Sequence, residues 1–376
     1  MAQDHILKNS GATLEDQTKI ENNEEIRKGV QDYYGKILQK SADLQTNACT
    51  TSSSMPRHVK QIIGLLHEEV IAKYYGCGLT LPEKLENTKV LDLGSGAGRD
   101  CFIASKLVGE HGQVVGIDMT REQLAVANQH IDYHTKKFGY KKPNVEFKEA
   151  FLEELDKTDL KPNSFDVVIS NCVINLVQDK QSVINNCYNL LKDGGEMYFS
   201  DVYASRRIPE VLKNDSVLYG ECLSGALYWN DFEHMARRAG FVDPRVVSSS
   251  PITVENPDIL EQVGDIKFYS VTYRLFKLPT LEPDCEDYGQ AVRYLGNIPH
   301  SEKGMLLDAH HYFEKGKIVS VCGNTWNMLQ QTRFKDSFEF IGNFETHYGI
   351  FEGCGKNTPF DSSVASVATP SGMSCC

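Results

Sequence analysis

Short apolar runs alternate with amphipathic segments through the middle of the chain. Five such runs predict strands, at 89–94, 113–118, 144–150, 165–171 and 195–201. Between them, apolar residues recur at helical spacing over 99–108, 120–138 and 180–192. Strict alternation of strand and helix predicts an α/β domain over 81–251, with a parallel sheet and helices on both faces.

The segments on either side of this domain have different patterns. An N-terminal helical segment is predicted over 25–80, with one helix near Glu24 and a second, continuous helix from His58 to Tyr75. From 252 to 360 the chain is β-rich and loop-broken, which predicts a smaller domain; there 305–323 is expected to form a hairpin that turns at 314–317. The polar ends, 1–24 and 361–376, are predicted to be disordered.

Composition narrows the function classes. Lys and Arg number 39 against 51 Asp and Glu, a formal net charge of −12, which argues against a general nucleic-acid binder. No apolar run is long enough for a membrane span, and the first 20 residues lack the apolar core of a signal peptide. The 11 cysteines are odd in number in a chain without a predicted secretory signal, so a disulfide framework is not expected, and reduced thiols and a cytosolic location are predicted.

The most specific local signal is the run VLDLGSGAGR, from Val90 to Arg99. A buried strand there leads through a glycine turn, including Gly94 and Gly96, into a helix N-terminus, so a ligand can approach the backbone closely. Asp118 follows at the end of the next strand, where a carboxylate can hold both ribose hydroxyls of a nucleoside. The run therefore predicts a nucleoside-containing cofactor.

Two cofactors compete for such a loop. The dinucleotide fingerprint G-x-G-x-x-G requires glycine where Arg99 stands. G-x-G-x-G after Leu-Asp is the spacing of S-adenosylmethionine-dependent methyltransferases. Asp92 agrees with this choice, because a carboxylate would repel a pyrophosphate but suits the cationic methionine end. A methyltransferase is the predicted class.

The methyl acceptor should lie where the fourth strand ends, at Asn171-Cys172. The Asn-Pro-Pro-aromatic motif of adenine N-methyltransferases is absent. Cytosine C5-methyltransferases carry Pro-Cys, whereas Asn171 precedes Cys172 in this chain. A cysteine at a strand end is also often a small buried hydrophobe, so packing remains open for Cys172.

The other cysteines divide by context. Cys101, Cys187 and Cys322 have the spacing of core residues, Cys322 in a predicted strand, while four lie in loops or tail: Cys285, Cys354, Cys375 and Cys376. Cys49, Cys77 and Cys222 lie in Gly/Ser/Thr-rich segments near the predicted ligand loops. No paired C-x₂₋₄-C spacing predicts structural zinc, and converging thiols suggest a soft, thiophilic methyl acceptor. Successive side chains of a strand point to opposite faces of the sheet, so His310 and His311 are not expected to share a ligand. That pair is interpreted as structural.

Longer motifs carry a resemblance to a known family. They are DLGSGAGRDC, GIDMT, SNCVINLV, LKDGGEMYFSDVY, GECLSGALYW and the run YRLFK at 273–277. With them the chain closely resembles animal-type arsenite methyltransferases over nearly its whole length. The resemblance implies a Rossmann-like class I methyltransferase sheet, and methyl transfer from S-adenosylmethionine to thiol-bound trivalent arsenic, giving mono- and dimethylated products.

The resemblance also implies site residues. The functional cysteines are Cys49, Cys77, Cys172 and Cys222, and the cofactor contacts are Asp92, Gly94, Asp118, Met119, Leu152, Glu153 and Asn171. Cys77, Cys172 and Cys222 would hold trivalent arsenic as substrate. Cys49 would form a disulfide with a site cysteine that glutathione or thioredoxin reduces.

Two other functions remain open at the level of sequence. One is a non-catalytic thiol or metalloid binder on a methyltransferase scaffold, which would not need Asp92 or Asp118. The other is a small-molecule O- or N-methyltransferase whose cysteines only pack. The intact cofactor loop favours the arsenic methyltransferase.

Overall fold

A mixed eight-stranded sheet forms the centre of the molecule, in a computed structural model that describes residues 27–31, 55–74, 79–209, 212, 223–253 and 257–353. The strands are β1 (Lys89–Leu93), β2 (Gln113–Asp118), β3 (Val145–Glu149), β4 (Phe165–Asn171), β5 (Leu191–Ala204), β6 (Leu227–Tyr228), β7 (Arg245–Ile252) and β8 (Phe268–Phe276). Their order is β3-β2-β1-β4-β5-β8-β7, with β6 beside the end of β5. The chain reverses its direction of winding between β1 and β4, where ligands bind in open α/β sheets.

The strictly parallel sheet expected from the pattern is wrong at one edge. Strands β1 to β6 pair in parallel, but β8 is antiparallel to β5, and β7 is antiparallel to β8. The helices Trp229–Ala239 and Pro257–Val263 still separate β5, β7 and β8 along the chain, so strand–helix alternation continues through this edge and does not report the change in strand direction. The sheet also runs on to Phe276, past the boundary placed at residue 251.

Helices cover both faces of the sheet. They are α1 (Arg57–Ile63), α2 (Glu68–Ala72), α3 (Arg99–Val108), α4 (Arg121–Gln129), α5 (Ile131–Phe138), α6 (Lys180–Leu190), α7 (Trp229–Ala239) and α8 (Pro257–Val263). Residues 27–31 are also helical, and 3₁₀ turns occupy Leu152–Lys157 and Ile174–Leu176. Val90 faces the cluster under α1 to α5, whereas Leu91 faces the cluster under α6 and α7. Both faces of the strands are therefore apolar.

Two predicted helices are interrupted. The helix expected over 58–75 ends at Gly64, and α2 restarts after His67, whose Nδ1 accepts the Glu69 N–H over 3.2 Å. The helix expected over 120–138 breaks at His130, where φ is −102° and ψ is 7°. Apolar periodicity continues across both breaks because the flanking helices pack on the same core. The helix at 99–108 is confirmed residue for residue.

The C-terminal region is β-rich, as expected. Its elements are β9 (Glu286–Asp287), β10 (Gln290–Tyr294), β11 (Gly304–Asp308), β12 (His311–Glu314), β13 (Ile318–Val321), α9 (Gly323–Gln330), β14 (Phe338–Ile341) and β15 (Gly349–Ile350). They form a three-stranded sheet, β13-β10-β14, and two two-stranded sheets. The N-terminal 26 residues and the predicted tail at 361–376 lie outside the described residues.

The hairpin in this region turns earlier than predicted. β11 pairs with β12 around Ala309-His310, and β13 pairs with β10 instead. The reason is Asp308, whose Oδ1 accepts the backbone N–H groups of His310 and His311 over 2.9 Å each and so closes the turn. Cys322 is buried as expected, but it caps the N-terminus of α9 rather than lying in a strand.

A cluster of buried, charged side chains connects the C-terminal region to the main sheet. Arg274 on β8 is fully buried, and its Nε lies 3.0 Å from Glu196 Oε2 on β5. Its Nη2 donates to Glu83 over 2.6 Å, while Arg333 after α9 also pairs with Glu196. Although burial opposes the charged guanidinium, these carboxylates raise the pKa of Arg274. Arg274 lies in the YRLFK run, whose function the sequence alone does not reveal.

Candidate active site

The carboxyl ends of β1, β2 and β4 border a cavity of about 130 Å³. All eight predicted cofactor residues line it: Asp92, Gly94, Gly96, Asp118, Met119, Leu152, Glu153 and Asn171. Cys172 lines the same cavity. The structure thus brings together residues that are spread over four strand ends in the sequence.

The glycine loop approaches its neighbours too closely for side chains. Gly94 has φ +70°, and a Cβ atom there would lie 2.4 Å from Val173 Cγ2. Gly96 has φ +52° and open space beside it, so its backbone borders the cavity. Ser95 Oγ is buried without a hydrogen-bond partner in the described part of the chain. An orphaned hydroxyl beside an open glycine backbone is the arrangement of a ligand cradle.

Asp118 ties this loop to the end of β2. Its Oδ2 accepts the Gly96 N–H and its Oδ1 accepts the Thr120 N–H, both over 2.8 Å. Burial raises the pKa of Asp118, and the backbone hydrogen bonds oppose that rise. Met119 N–H and the Thr120 hydroxyl also interact with the carboxylate, so the orientation of Asp118 at the cavity is fixed by the glycine loop and by the residues that follow β2.

Asp92 lies deeper, at the end of β1. Only 3% of its surface is exposed, and its Oδ2 accepts the thiol proton of Cys101 over 3.1 Å. Burial, followed by the nearby charge of Asp100, raises the pKa of Asp92 well above its ordinary value. Arg99 lies 3.3 Å from Asp100 Oδ1, so Asp92 and Asp118 are the acids that supply negative charge for a cationic ligand here.

Tyr74, Arg99 and Asp100 are among the lining residues that the sequence did not predict as site residues. Asn171 Nδ2 donates to the Tyr74 hydroxyl over 2.8 Å and to Asp100 Oδ2 over 3.1 Å. The Arg99 guanidinium lies 3.5 Å from the centroid of the Tyr74 ring, a cation–π contact. Arg99 and Asp100 follow the glycine loop directly, so proximity in sequence could have found them. Nothing in the local sequence could have found Tyr74.

The N-terminal segment folds over the cavity. Arg27 and Val30 line it, Arg27 lies 3.4 Å from Glu153 Oε1, and Gln31 Nε2 donates to the Met119 carbonyl over 2.9 Å. Arg27 also lies 4.3 Å from the centroid of the Phe151 ring. These contacts shield one side of the cavity from solvent.

The cysteine predictions have a mixed status. Cys172 is 2% exposed, has φ 56° and is disulfide-bonded. None of the other described cysteines, Cys101, Cys187, Cys285 and Cys322, is in a disulfide, so the partner of Cys172 lies outside the described residues. Cys49, Cys77 and Cys222 also lie outside them. The φ of 56° places Cys172 in the left-handed region, where a non-glycine residue is strained, and such residues concentrate at functional sites.

The chain just after Cys222 packs beside Cys172. Leu223 is fully buried in the same apolar cluster as Cys172, and a Cβ atom at Gly225 would lie 2.3 Å from the Asn175 carbonyl oxygen. Asn175 is held in turn by Asp201, whose carboxylate accepts its Nδ2–H over 2.6 Å. Burial raises the pKa of Asp201 to about 6. The two most specific motifs, SNCVINLV and GECLSGALYW, are therefore in direct contact.

These observations fit an S-adenosylmethionine site. The glycine cradle, the orphaned Ser95 hydroxyl and the acidic side chains of the cavity match a ligand with a ribose and a cationic methionine end. Asp118 would hold the ribose, and the loop at Gly94–Gly96 would border the methionine end. Two family models agree: a methyltransferase domain matches residues 84–240, and an arsenite methyltransferase C-terminal domain matches 288–364.

Relatives extend this agreement over nearly the whole chain. An arsenite methyltransferase of Aquipseudomonas alcaligenes is 56% identical over 93% of this chain and 100% of that protein. The arsenite methyltransferase of Homo sapiens is 48% identical over 84% of this chain and 83% of that protein. This chain belongs to the arsenite methyltransferase family. The likeness is not confined to animal members, as the bacterial relative shows.

A solved structure of the family agrees with the fold. The arsenic(III) S-adenosylmethionine methyltransferase of Chlamydomonas reinhardtii superposes with a TM-score of 0.77 at 46% identity, covering 80% of this chain and 100% of that chain. The class I methyltransferase sheet with a β-rich C-terminal region is thereby confirmed as the architecture. No helix among the described residues has the length and apolar character needed to cross a membrane.

Proposed function

We propose that this protein transfers methyl groups from S-adenosylmethionine to trivalent arsenic held by cysteine thiolates, giving mono- and dimethylated arsenicals. The observation that carries the proposal is that Cys172 lines the same cavity as all eight predicted cofactor residues. A soft sulfur ligand beside a methyl-donor site suits trivalent arsenic, which prefers thiolates to oxygen ligands.

Cys77 and Cys222 are proposed to complete the arsenic site with Cys172. Tyr74 contacts Asn171, and Cys77 follows Tyr74 by three residues, which span at most about 11 Å of chain. The connection is therefore short enough for Cys77 to reach the cavity. Cys222 directly precedes Leu223, which shares the apolar cluster of Cys172. These placements support three thiolates that converge from separate parts of the chain.

The protein contributes mainly alignment. Bound S-adenosylmethionine supplies an electrophilic methyl group on a sulfonium. The cysteines hold arsenic with its lone pair toward that carbon, so that the arsenic–carbon bond forms as the sulfur–carbon bond breaks and S-adenosylhomocysteine leaves. Fixing donor and acceptor in contact replaces an encounter between two molecules with a step inside one complex.

The reaction needs two electrons for each methyl group. Arsenic passes formally from the trivalent to the pentavalent state, and two thiolates return it to the trivalent state by forming a disulfide. We propose that Cys49 pairs with a site cysteine in this step after the first methylation, that Cys172 and Cys222 supply the two electrons after the second, and that glutathione or thioredoxin reduces the disulfide. The disulfide at Cys172 supports a site whose thiols cycle through an oxidised form. A cytosolic location, where such reductants are abundant, is part of the proposal.

The deciding experiment compares acceptors. Pure, reduced protein is incubated with S-adenosylmethionine and glutathione, together with arsenite or a panel of catechols, and methylated products are separated and quantified. Repeated turnover with arsenite and none with catechols is expected. Methylated catechol would overturn the choice of acceptor, and arsenite binding without any product would leave a non-catalytic metalloid binder.

A further inference from the structure

A histidine-rich cluster lies apart from the cofactor cavity, between the N-terminal helices and the α4–α5 break. One ligand atom each from His67, Glu69 and His130 lies within 4.8 Å of the others. The His67 and His130 rings stack with centroids 3.8 Å apart, and His130 Nε2 lies 2.8 Å from Glu69 Oε2. The His130 side chain is only 7% exposed, while that of Glu69 is 40% exposed and open to solvent.

A third histidine, His134, contacts the backbones of both His67 and His130. His134 Nε2 accepts the His67 N–H over 3.2 Å, and its Nδ1–H donates to the His130 carbonyl over 2.8 Å. Both ring nitrogens of His134 are thus occupied, so it is neutral and is not itself a ligand. The His134 ring therefore links the backbone of His67 to the backbone of His130, independently of any bound metal ion.

We propose that His67, Glu69 and His130 form a binding site for a divalent transition-metal ion, with Zn²⁺ as its preferred occupant. Two imidazoles and one carboxylate are a common ligand set for Zn²⁺, with a water molecule in the fourth position. In a tetrahedral site, metal–ligand distances of about 2.0–2.2 Å place two ligand atoms about 3.3–3.6 Å apart, so a pair of ligand atoms here must approach by up to about 1.5 Å, shared between the two side chains. The cluster therefore closes around an ion after side-chain movements of less than about 1 Å, which the exposed Glu69 can make.

Coordination replaces two existing interactions. The ion takes over the Glu69–His130 contact and the Glu69 N–H bond to His67 Nδ1, which is long at 3.2 Å. The imidazoles bind metal through a ring nitrogen that carries no proton, so metal and protons compete for this site.

The site would also join two parts of the fold. His67 and Glu69 belong to the N-terminal segment, and His130 lies within the methyltransferase domain. α2 ends at Ala72, next to Lys73 and Tyr74, which line the cofactor cavity. A bound ion would therefore stabilise the folded arrangement of the segment that carries Tyr74.

Cobalt titration of the reduced full-length protein tests the proposal, because the site must be told apart from the cysteines. Thiolate-bound Co²⁺ has a sulfur-to-metal charge-transfer band in the near ultraviolet, whereas a site of nitrogen and oxygen ligands lacks it. The wild type should bind one more Co²⁺ per chain than Glu69→Gln or His130→Phe. The charge-transfer band should be equal in all three proteins.

His58→Phe is the matched control, since His58 stacks on His300 at 4.0 Å outside the cluster. It should keep the extra Co²⁺, and Zn²⁺ should raise the melting temperature of this variant and the wild type, but not of Glu69→Gln. Equal Co²⁺ stoichiometry in the wild type and Glu69→Gln overturns the proposal. Glu69 is half exposed and its replacement should fold, so the test does not depend on His130→Phe.

Discussion

The Cys101 thiol donates to Asp92 Oδ2 over 3.1 Å, and both side chains are buried at the base of the cofactor cavity. Burial, followed by the charge of Asp92, raises the pKa of Cys101 well above its ordinary value. The thiol therefore remains protonated, which makes it a hydrogen-bond donor to Asp92 and a poor ligand for arsenic.

Cys101→Ala should therefore weaken cofactor binding. Without the thiol donor, the charged form of Asp92 is further disfavoured. We expect the binding free energy of S-adenosylmethionine to become less favourable by about 1 kcal/mol, which calorimetry would measure as roughly fivefold weaker affinity. Cys187→Ala is the control, because Cys187 is also a buried helical thiol but lies outside the cavity. Equal donor affinity in both variants would show that the Cys101 bond has no part in cofactor binding.

Asp118→Ala should weaken S-adenosylmethionine binding by about 1–3 kcal/mol, the loss of charge-assisted hydrogen bonds. Asp118→Asn keeps one acceptor oxygen and should have an intermediate affinity. Calorimetry measures both, with Asp132→Ala on the exposed face of α5 as the control. Arsenite binding without donor should survive in every variant, and unchanged donor affinity in Asp118→Ala would remove the assigned role.

The four predicted substrate cysteines should separate by methylation step. Arsenite has three exchangeable positions and the monomethylated form has two, so two thiolates suffice for the second methylation. Cys172→Ser and Cys222→Ser should abolish all methylation, because serine offers a hard, protonated oxygen. Cys49→Ser and Cys77→Ser should block arsenite yet still convert monomethylated trivalent arsenic to the dimethyl product.

Chromatography of the arsenicals measures each step, with Cys187→Ser as the control. Burial raises the pKa of Cys187 to about 12, so this thiol does not supply a thiolate near neutral pH. Cys187→Ser should therefore retain both steps. A Cys77→Ser enzyme that methylates arsenite at the wild-type rate would contradict the assignment.

His134 should make stability depend on pH. Burial lowers its pKa from 6.5 to about 4, so the unfolded chain takes up a proton there below pH 6.5 while the folded protein does not. The stability it contributes is fully present above pH 6.5 and declines by up to about 3 kcal/mol as the pH falls to 4. Urea unfolding should show a shallower decline for His134→Phe, whereas His111→Phe, an exposed site, should follow the wild type.

Glu196→Gln should destabilise the protein by about 3–5 kcal/mol, because it leaves the buried Arg274 with an incomplete set of partners. Arg121→Gln is the matched control: its pair with Glu149 is 2.8 Å long, but the two side chains are 81% and 46% exposed. Chemical denaturation should detect no change in that variant. Equal stability of the two variants would mean that burial does not decide the effect of an ion pair here.

Much of the candidate site could be predicted from the sequence because it follows from local rules. The run from Val90 to Arg99 predicts a strand, a glycine turn and a helix, and all three occur there. Asp118 and Asn171 end β2 and β4, the strands on either side of β1, and parallel strands bring their carboxyl ends to one edge. The sequence interpretation did not include Tyr74, because its contacts with Asn171 and Arg99 join segments that are far apart along the chain.

The sequence by itself determined the elements whose signal repeats within a few residues: the alternating strands and helices, the glycine loop and the family motifs. Only the tertiary structure decided which distant groups meet. The break at His130 brings that ring onto His67, and the antiparallel β8 brings Arg274 to Glu196. Periodicity reports which face of an element is buried, but the partner across that face depends on packing between remote segments, which no local pattern records.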